Sequence, residues 1–477
     1  MVRFYSALLW TLTLGAVLAV SRAGEDERPN ILVILADDLG YADTGAYGSE
    51  EIKTPNIDRL AAAGIRCTDG YVTHSFCSPT RAGLVTGRYQ HRFGHETNVP
   101  YDPHNLLLGL PRKERTVADR LRKLGYATGV VGKWHLGASH LHHPMRRGFG
   151  FFYGFLGGGH DYYRVDLRRP LGEGYFTPID DNGKPTTIQE YLTTDFSRAA
   201  VRFIEQVGDR PFFLYLAYNA PHTPLQAPDE LIRQYASISD GRRRVYAAMI
   251  TAMDTGIGMV LEALQRTGKL ENTLIFFLSD NGGPTRVTGA SNKPLRGQKG
   301  ELYDGGIRVP YIVAWPARLP QGGTFGMPVS SLDIAATALA VAGADLETMP
   351  ELEGIDLIPY LSGSASPSQL KRALFWRQDG GRRWAVRVGR YKLIKPTAKS
   401  SLELYDLQAD IGEQQNIIES EPQLAEELRA LYREWNRLNI PPRWPNPPSY
   451  HPELRRFHRE FQERWVERVK TAAESGP

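Results

Sequence analysis

Asn30-Ile31-Leu32-Val33-Ile34-Leu35-Ala36-Asp37-Asp38 reads as a strand buried on both faces that stops on two carboxylates. The apolar run has no alternation, and a strand with one face in water would carry a polar residue at every second position. Four further runs share this character: Ala127–Val131, Phe212–Ala217, Leu274–Leu278 and Val309–Ala314. Stretches of helical period lie between them, at Asn56–Ala63, Thr116–Leu124, Thr194–Val207 and Arg244–Thr267, and Ser331–Ala342 follows the last run. Buried strands alternating with helices predict an α/β fold, a large mixed, mainly parallel sheet flanked by helices.

Open sheets of this kind hold ligands just beyond the carboxyl ends of their strands. The first run ends in Asp37-Asp38, the second in Gly132-Lys133-Trp134-His135, the third leads to Asn219-Ala220-Pro221-His222, and the fourth to Asp280-Asn281-Gly282-Gly283. Four strands therefore bring acids, amides, histidines and a lysine to one edge. Asp37, Asp38, Asp280 and Asn281 are all oxygen donors, the set a hard cation such as calcium or magnesium requires. Zinc would ask for more nitrogen or sulfur. Asp37-Asp38 alone is equally a turn or a helix cap, and the second pair at another strand end is what points to a metal.

The chain has 477 residues, enough for one large domain and a small one. Residues 1–23 hold Arg3, Arg22 and no acid, so their removal lowers the net charge from +4 to +2. That balance gives no pull toward nucleic acid or an anionic membrane. Arg3, the apolar run Ala7–Val20 and Ser21-Arg22-Ala23 predict a secretory signal peptide over residues 1–23, with an uncleaved anchor as the alternative. No later segment reads as a membrane span, so no stable insertion is expected after cleavage. Two cysteines, Cys67 and Cys77, exclude a disulfide framework and leave either a single bridge or a chemical role for Cys77.

The pattern changes after Gly363. Leu374–Trp376, Trp384–Val388 and Tyr391–Ile394, separated by Gly380-Gly381 and Gly389-Arg390, predict an antiparallel meander, and Pro422–Leu438 an amphipathic helix. The expected organisation is a signal peptide over 1–23, a catalytic domain over 24–363, a smaller C-terminal α+β subdomain over 364–440, and a Pro-rich, charged tail over 441–477.

Cys77-Ser78-Pro79-Thr80-Arg81, followed by Thr86-Gly87-Arg88, resembles the C-x-P-x-R and Thr-Gly-Arg signature of the formylglycine-dependent (type I) sulfatases. Arg28-Pro29-Asn30, Lys133-Trp134-His135-Leu136-Gly137 and Leu295–Pro310 around Lys299 are similar to sulfatase sequence as well. Gly148–Tyr163 resembles a segment of sulfatases that act on galactosamine sulfates and related glycans. The likeness extends from about Pro29 to Asn416 and lies in the arylsulfatase A and N-acetylgalactosamine-6-sulfatase branch of the alkaline phosphatase superfamily.

The resemblance implies an alkaline-phosphatase-like fold and hydrolysis of a sulfated carbohydrate or aryl sulfate. It implies one Ca2+ per chain, held by Asp37, Asp38, Cys77, Asp280 and Asn281. It implies that a formylglycine-generating enzyme converts Cys77 to formylglycine during export to a periplasmic, extracellular or lysosome-like compartment. The hydrated aldehyde would attack sulfur, with Arg81 holding the diol and Lys133 and Lys299 clamping the sulfate oxygens. His222 or Lys299 would protonate the leaving oxygen, and His135 would take the proton that releases sulfate. Arg88 is expected to be structural, and His142 and His143 to be loop residues.

One departure stands out in Gly157-Gly158-Gly159-His160-Asp161. Some sulfatases have a serine where Gly159 stands, so its sulfate contact is absent or comes from backbone or His160. Asp304-Gly305-Gly306 replaces a more usual Glu-Gly-Gly. Arg164, Arg168, Arg169, Tyr162, Tyr163 and Tyr175 either line a subsite for an anionic sugar or belong to a solvated insertion. The competing functions are a phosphate or phosphonate monoester hydrolase of the same superfamily and a non-catalytic binder of sulfated glycans.

Overall fold

The computed structural model describes residues 28–167 and 175–445, with isolated positions 463 and 467. The expected signal peptide, Arg168 and Arg169, and most of the tail lie outside the described residues.

The strands, in chain order, are β1 Asn30–Ala36, β2 Ile65–Cys67, β3 Gly70–Tyr71, β4 Ala127–Lys133, β5 Phe151–Phe155, β6 Ile179–Asp181, β7 Lys184–Thr186 and β8 Phe212–Ala217. They continue with β9 Thr273–Ser279, β10 Tyr311–Ala314, β11 Gly323–Phe325, β12 Val329–Ser330, β13 Ala373–Gln378, β14 Arg383–Val388, β15 Tyr391–Lys395 and β16 Glu403–Asp406. Ten form one sheet in the order β11-β2-β10-β9-β1-β8-β4-β5-β6-β7. Its centre, β9-β1-β8-β4-β5, is parallel throughout.

The unbroken apolar run of β1 has a direct consequence. Ile31, Val33 and Leu35 enter one core cluster, while Leu32, Ile34 and Ala36 enter the other. Side chains alternate across a strand, so a strand covered on both faces needs apolar residues at every position. Each such side chain is stabilising by about 1.5–3 kcal/mol when fully buried. Helices α1 Pro55–Ala62, α4 Leu192–Gln206 and α6 Gly241–Arg266 cover one face, with the short α5 Asp229–Gln234 against α6. Helices α2 Cys77–Thr86 and α3 Val117–Lys123, with the helix Asp333–Val341, cover the other. The sheet is mixed as expected, and β10, read as one of the buried runs, pairs antiparallel with β9.

One expectation needs correcting. Helix α6 is long and apolar enough to cross a membrane. Its apolarity has another cause, since it lies inside the molecule against α4 and α1, and a helix hydrophobic all round is a core helix as readily as a span.

After residue 363 a four-stranded antiparallel sheet, β13-β14-β15-β16, carries the helix Pro422–Arg437. One face holds Trp384, Val386, Leu393 and Leu404 against Leu428, Tyr432 and Trp435 of that helix. The other face holds Leu374, Trp376, Ala385, Ile394 and Tyr405 against Tyr71, Leu302 and Ile307 of the main body. Trp376 Nε1 donates to the Val72 carbonyl at 2.7 Å, so this small sheet is fastened just upstream of Cys77.

Candidate active site

Cys77 is the first residue of α2. Phe76 before it is extended, and Gly87 ends the helix in the left-handed region at φ 66°, its N–H bonded to Gly83 O at 2.9 Å. The motif spacing follows from that placement. Residues four apart share a helix face, so Cys77 and Arg81 lie on one side. Pro79 sits in the first turn, where an N–H would have no helical partner. The positive end of the helix dipole faces the site and favours an anion there.

The strand ends close around this turn. Lys133 Nζ donates to Asp37 Oδ2 at 2.5 Å, and Lys299 Nζ to Asp38 Oδ1 at 2.6 Å. Arg81 grips Asp280 Oδ2 through Nε at 3.0 Å and Nη2 at 2.8 Å, and its Nη1 donates to the Lys133 carbonyl at 2.8 Å. Cys77 Sγ lies 3.2 Å from Lys299 Nζ and 3.5 Å from Asp37 Oδ1. Asp38 takes a left-handed backbone, φ 68°, its carbonyl accepting from Tyr246 OH at 3.0 Å. Asp37, Asp280, Arg81 and Lys133 are fully buried, whereas the side chains of Lys299 and His222 keep 15% and 10% exposure, which marks the open side.

Burial would discharge these groups, and they hold one another charged instead. For Lys133, burial pulls the pKa down, but Asp37 together with the other acidic groups around it outweighs burial and the net shift is upward. Lys299 is likewise raised: burial pulls it down, but Asp38, with Asp37 and Asp280 beyond it, overcomes burial. Asp37 is held well below the carboxylate range because Lys133, His222, Arg81 and Lys299 together overcome burial. Burial and then Asp37 push Asp280 up to about 6 against the pull of Arg81. Burial, with Asp280 and Asp37, pushes the Cys77 thiol up, so it stays neutral.

Asp37, Asp38, Cys77 and His222 offer ligand atoms all within 4.8 Å of one another. Asn281 joins them, its Nδ2 donating to Asp38 Oδ1 at 2.6 Å. Its Oδ1 is buried with no hydrogen-bond partner among the described residues. An orphaned amide oxygen beside clustered carboxylates is what a hard cation would satisfy, so the residues fit a calcium ion. The geometry differs from the sequence-based set in two ways: His222 stands among the donors, and Asp280 is held in the fork of Arg81.

His222 Nδ1 lies 2.7 Å from the Thr223 carbonyl, and Nε2 faces Asp38 Oδ2 at 3.7 Å. Burial keeps its pKa low against the pull of Asp37 and Asp38. His135 is buried in the left-handed region, φ 57°, and its Nδ1 has no hydrogen-bond partner among the described residues. Gly158 allows this: a Cβ there would stand 2.8 Å from His135 Cε1 and Nε2.

The residues around the glycine run resolve differently. Both ring nitrogens of His160 lie 2.6 Å from backbone carbonyls, those of Asp161 and Thr177, which leaves neither for sulfate. Gly159 is capped by the Tyr175 ring, 2.8 Å from where a Cβ would be. Tyr162 is buried, its hydroxyl bonded to the carbonyls of Asn219 and His222, so it supports the His222 loop and lines no subsite. Arg164 is exposed. Arg88 pairs with Glu114 at 3.0 Å, and His142 is a buried loop residue bonded to Ser139. Both cysteines are free.

Sequence reading missed the wall behind the site. Gln378 Nε2 at the end of β13 bonds Ser75 Oγ, and Arg383 Nη1 donates to the Gly300 carbonyl at 3.2 Å. The Ser78 hydroxyl contacts His95 and the His135 carbonyl. No spacing signals these contacts, which join segments far apart in the chain.

The sulfatase family model matches residues 29–344, and a model described as N-sulphoglucosamine sulphohydrolase, C-terminal, matches residues 298–439. The chain belongs to the sulfatase family, whose members are sulfuric ester hydrolases. It is 33% identical over 442 residues to N-acetylgalactosamine-6-sulfatase of Canis lupus familiaris, covering 86% of this chain and 80% of the relative. It is 35% identical over 455 residues to arylsulfatase A of Homo sapiens, covering 85% and 86%. The crystal structure of Ps i-CgsB in complex with k-i-k-neocarrahexaose is 36% identical, with a TM-score of 0.83 over 94% of this chain and 100% of that one.

Proposed function

We propose that this exported chain hydrolyses sulfate monoesters on glycans and accepts aryl sulfates, after a formylglycine-generating enzyme has converted Cys77. In this reading residues 24–363 are the catalytic body and 364–440 the subdomain behind it. The observation that carries it is Cys77 at the N-terminus of α2, its Sγ 3.2 Å from Lys299 Nζ and 3.5 Å from Asp37 Oδ1. A neutral, buried thiol is a poor nucleophile, because reactive cysteines work as thiolates. The position therefore suits a side chain that has been chemically changed.

Asp37, Asp38, Asp280, Asn281 and residue 77 would hold calcium. The ion supplies positive charge to the oxygens of the ester, and an aldehyde at position 77, once hydrated, supplies the oxygen nucleophile. The chain's own residues do the rest. Lys133 and Lys299 hold the sulfate oxygens, and with Arg81 they balance the three carboxylates, so an added divalent cation leaves the site net positive for an anionic ester. Arg81 fixes Asp280 and the Lys133 backbone beneath residue 77. His222, with Nδ1 donating to the Thr223 carbonyl, presents Nε2 to the leaving oxygen and gives up a proton there from its imidazolium form, which Asp37 and Asp38 favour against burial. His135, whose Nδ1 has no hydrogen-bond partner among the described residues, would accept a proton from residue 77.

The glycan preference draws on the relatives: one is named N-acetylgalactosamine-6-sulfatase, and another is solved in complex with k-i-k-neocarrahexaose. The test is sulfate release from sulfated galactan and galactosamine oligosaccharides, from an aryl sulfate and from the matching phosphate monoester, with Cys77→Ala as control. Sulfate release from a glycan, absent in the control, is the expected result. Cleavage of the phosphate ester alone would overturn the reading.

A further inference from the structure

Behind Cys77 a small set of buried groups ties the start of α2 to His135. Ser78 Oγ lies 2.6 Å from the backbone oxygen of His135 and 2.6 Å from Nε2 of His95. All three residues are buried. A serine hydroxyl has one proton to give, and a carbonyl can only accept. With that proton on the His135 oxygen, the contact to His95 needs a proton on Nε2, so His95 donates to Ser78. Burial, with Arg443, His74 and His142, holds the His95 pKa down at about 3, so the ring is neutral with Nδ1 bare. Nδ1 is indeed buried with no hydrogen-bond partner among the described residues.

The ring is held from behind by residues that follow the C-terminal helix. Trp444 stands edge-on to His95, centroids 4.8 Å apart and planes at 79°. Its Nε1 donates to the Asn98 carbonyl at 3.2 Å, and Asn98 Oδ1 accepts from the Ser78 backbone N–H at 3.1 Å. Arg443 N donates to Gly94 O at 2.9 Å and Ile440 N to His91 O at 3.2 Å, fastening the strap to the loop that carries His95.

His135 needs such a holder. At φ 57° it occupies a backbone region that residues with a Cβ adopt only where their surroundings over-determine it. Its Nδ1 has no hydrogen-bond partner among the described residues that would help. Holding falls to the backbone, where N–H reaches Leu156 O at 3.3 Å and the carbonyl receives the closer bond from Ser78 at 2.6 Å. We infer that His95 is a positioning residue: through Ser78 it locks the His135 backbone and so sets where the His135 imidazole stands relative to residue 77. This rests on the sulfatase reading of the site.

The experiment is a double-mutant cycle on aryl sulfate turnover, with kcat expressed per aldehyde-bearing chain as measured by peptide mass. His95→Phe keeps a ring against Trp444 and removes the Nε2 donor. Ser78→Ala removes one oxygen and leaves Cys77-x-Pro79-x-Arg81 intact. A misplacement on the order of 1 Å costs up to about 100-fold, so each single variant is expected to lose about 10- to 100-fold in kcat, with KM within about threefold. The double variant should lose no more than the worse single one, because both break the same chain. His95→Gln, which restores an amide donor, should recover most of the loss. Single variants with wild-type kcat, losses that multiply in the double variant, or equal losses in His95→Gln and His95→Phe would each overturn the inference. If His95→Phe does not fold, Ser78→Ala against wild type decides. Failure of the functional reading is distinct: aldehyde-bearing wild type would cleave no sulfate ester at all.

Discussion

His222 is the residue whose role can be read most sharply from its surroundings. Its Nδ1 is committed to the Thr223 carbonyl, so only Nε2, on the open side near Asp38, can exchange a proton with substrate. A leaving group that is a sugar alcohol needs that proton far more than an acidic phenol does. His222→Ala should therefore lower kcat on a glycan sulfate by about 100- to 10,000-fold, while an aryl sulfate with an acidic phenol loses much less. Equal losses on the two substrates would remove His222 from the role of acid and leave Lys299 as the candidate. At this scale the gathering of the site was legible from the sequence where it sits at strand ends, because Asp37, Lys133, His222 and Asp280 follow or approach apolar runs that announce themselves. Ser78, His95 and Trp444 were not legible, since a hydrogen bond or a ring contact between distant segments leaves no periodic trace.

Among the elements, the central strands were readable for the same reason that they are stable. Ile31–Ala36 carries no polar group and Phe212–Ala217 only the Tyr215 hydroxyl, so they must be covered on both faces, and the structure covers them with helices. The direction of β10 was not readable, because an apolar run has the same composition whichever way it pairs. β16, Glu403–Asp406, escaped notice because two of its four residues are acidic. The small sheet is fixed to the main body by a buried charge cluster as well as by apolar contact. Lys392 Nζ on β15 donates to Asp304 Oδ1 at 2.7 Å and Glu413 Oε1 at 2.8 Å, and the three side chains are fully buried. Removing one partner of a buried ion set leaves uncompensated charge. Lys392→Met should destabilise the protein by about 3–5 kcal/mol in a denaturant titration. A loss below about 1 kcal/mol would mean that the apolar faces alone hold the small sheet.

At the scale of the whole molecule, buried neutral histidines should make stability depend on pH. Burial, with Arg383, depresses His74 to about 3, whereas an unfolded chain takes up that proton near pH 6.5. The folded pKa is the lower one, so the contribution is fully present above about pH 6.5 and is lost as pH falls toward 3, by about 2 kcal/mol at pH 5. His74→Leu should flatten the stability curve between pH 6 and 4 by about 1.4 kcal/mol per pH unit. An unchanged slope would show that His74 titrates alike in both states. The central claim is that a modified Cys77 and a calcium ion together make this chain a sulfatase. Its most direct test is the peptide mass across Cys77, in protein made with a formylglycine-generating enzyme, taken with aryl sulfate hydrolysis before and after calcium is stripped from the same sample. The expected result is an aldehyde at position 77 and sulfate release that disappears with the chelator and returns with calcium. An unmodified Cys77 in a fully active sample, or release that ignores the chelator, would contradict the account.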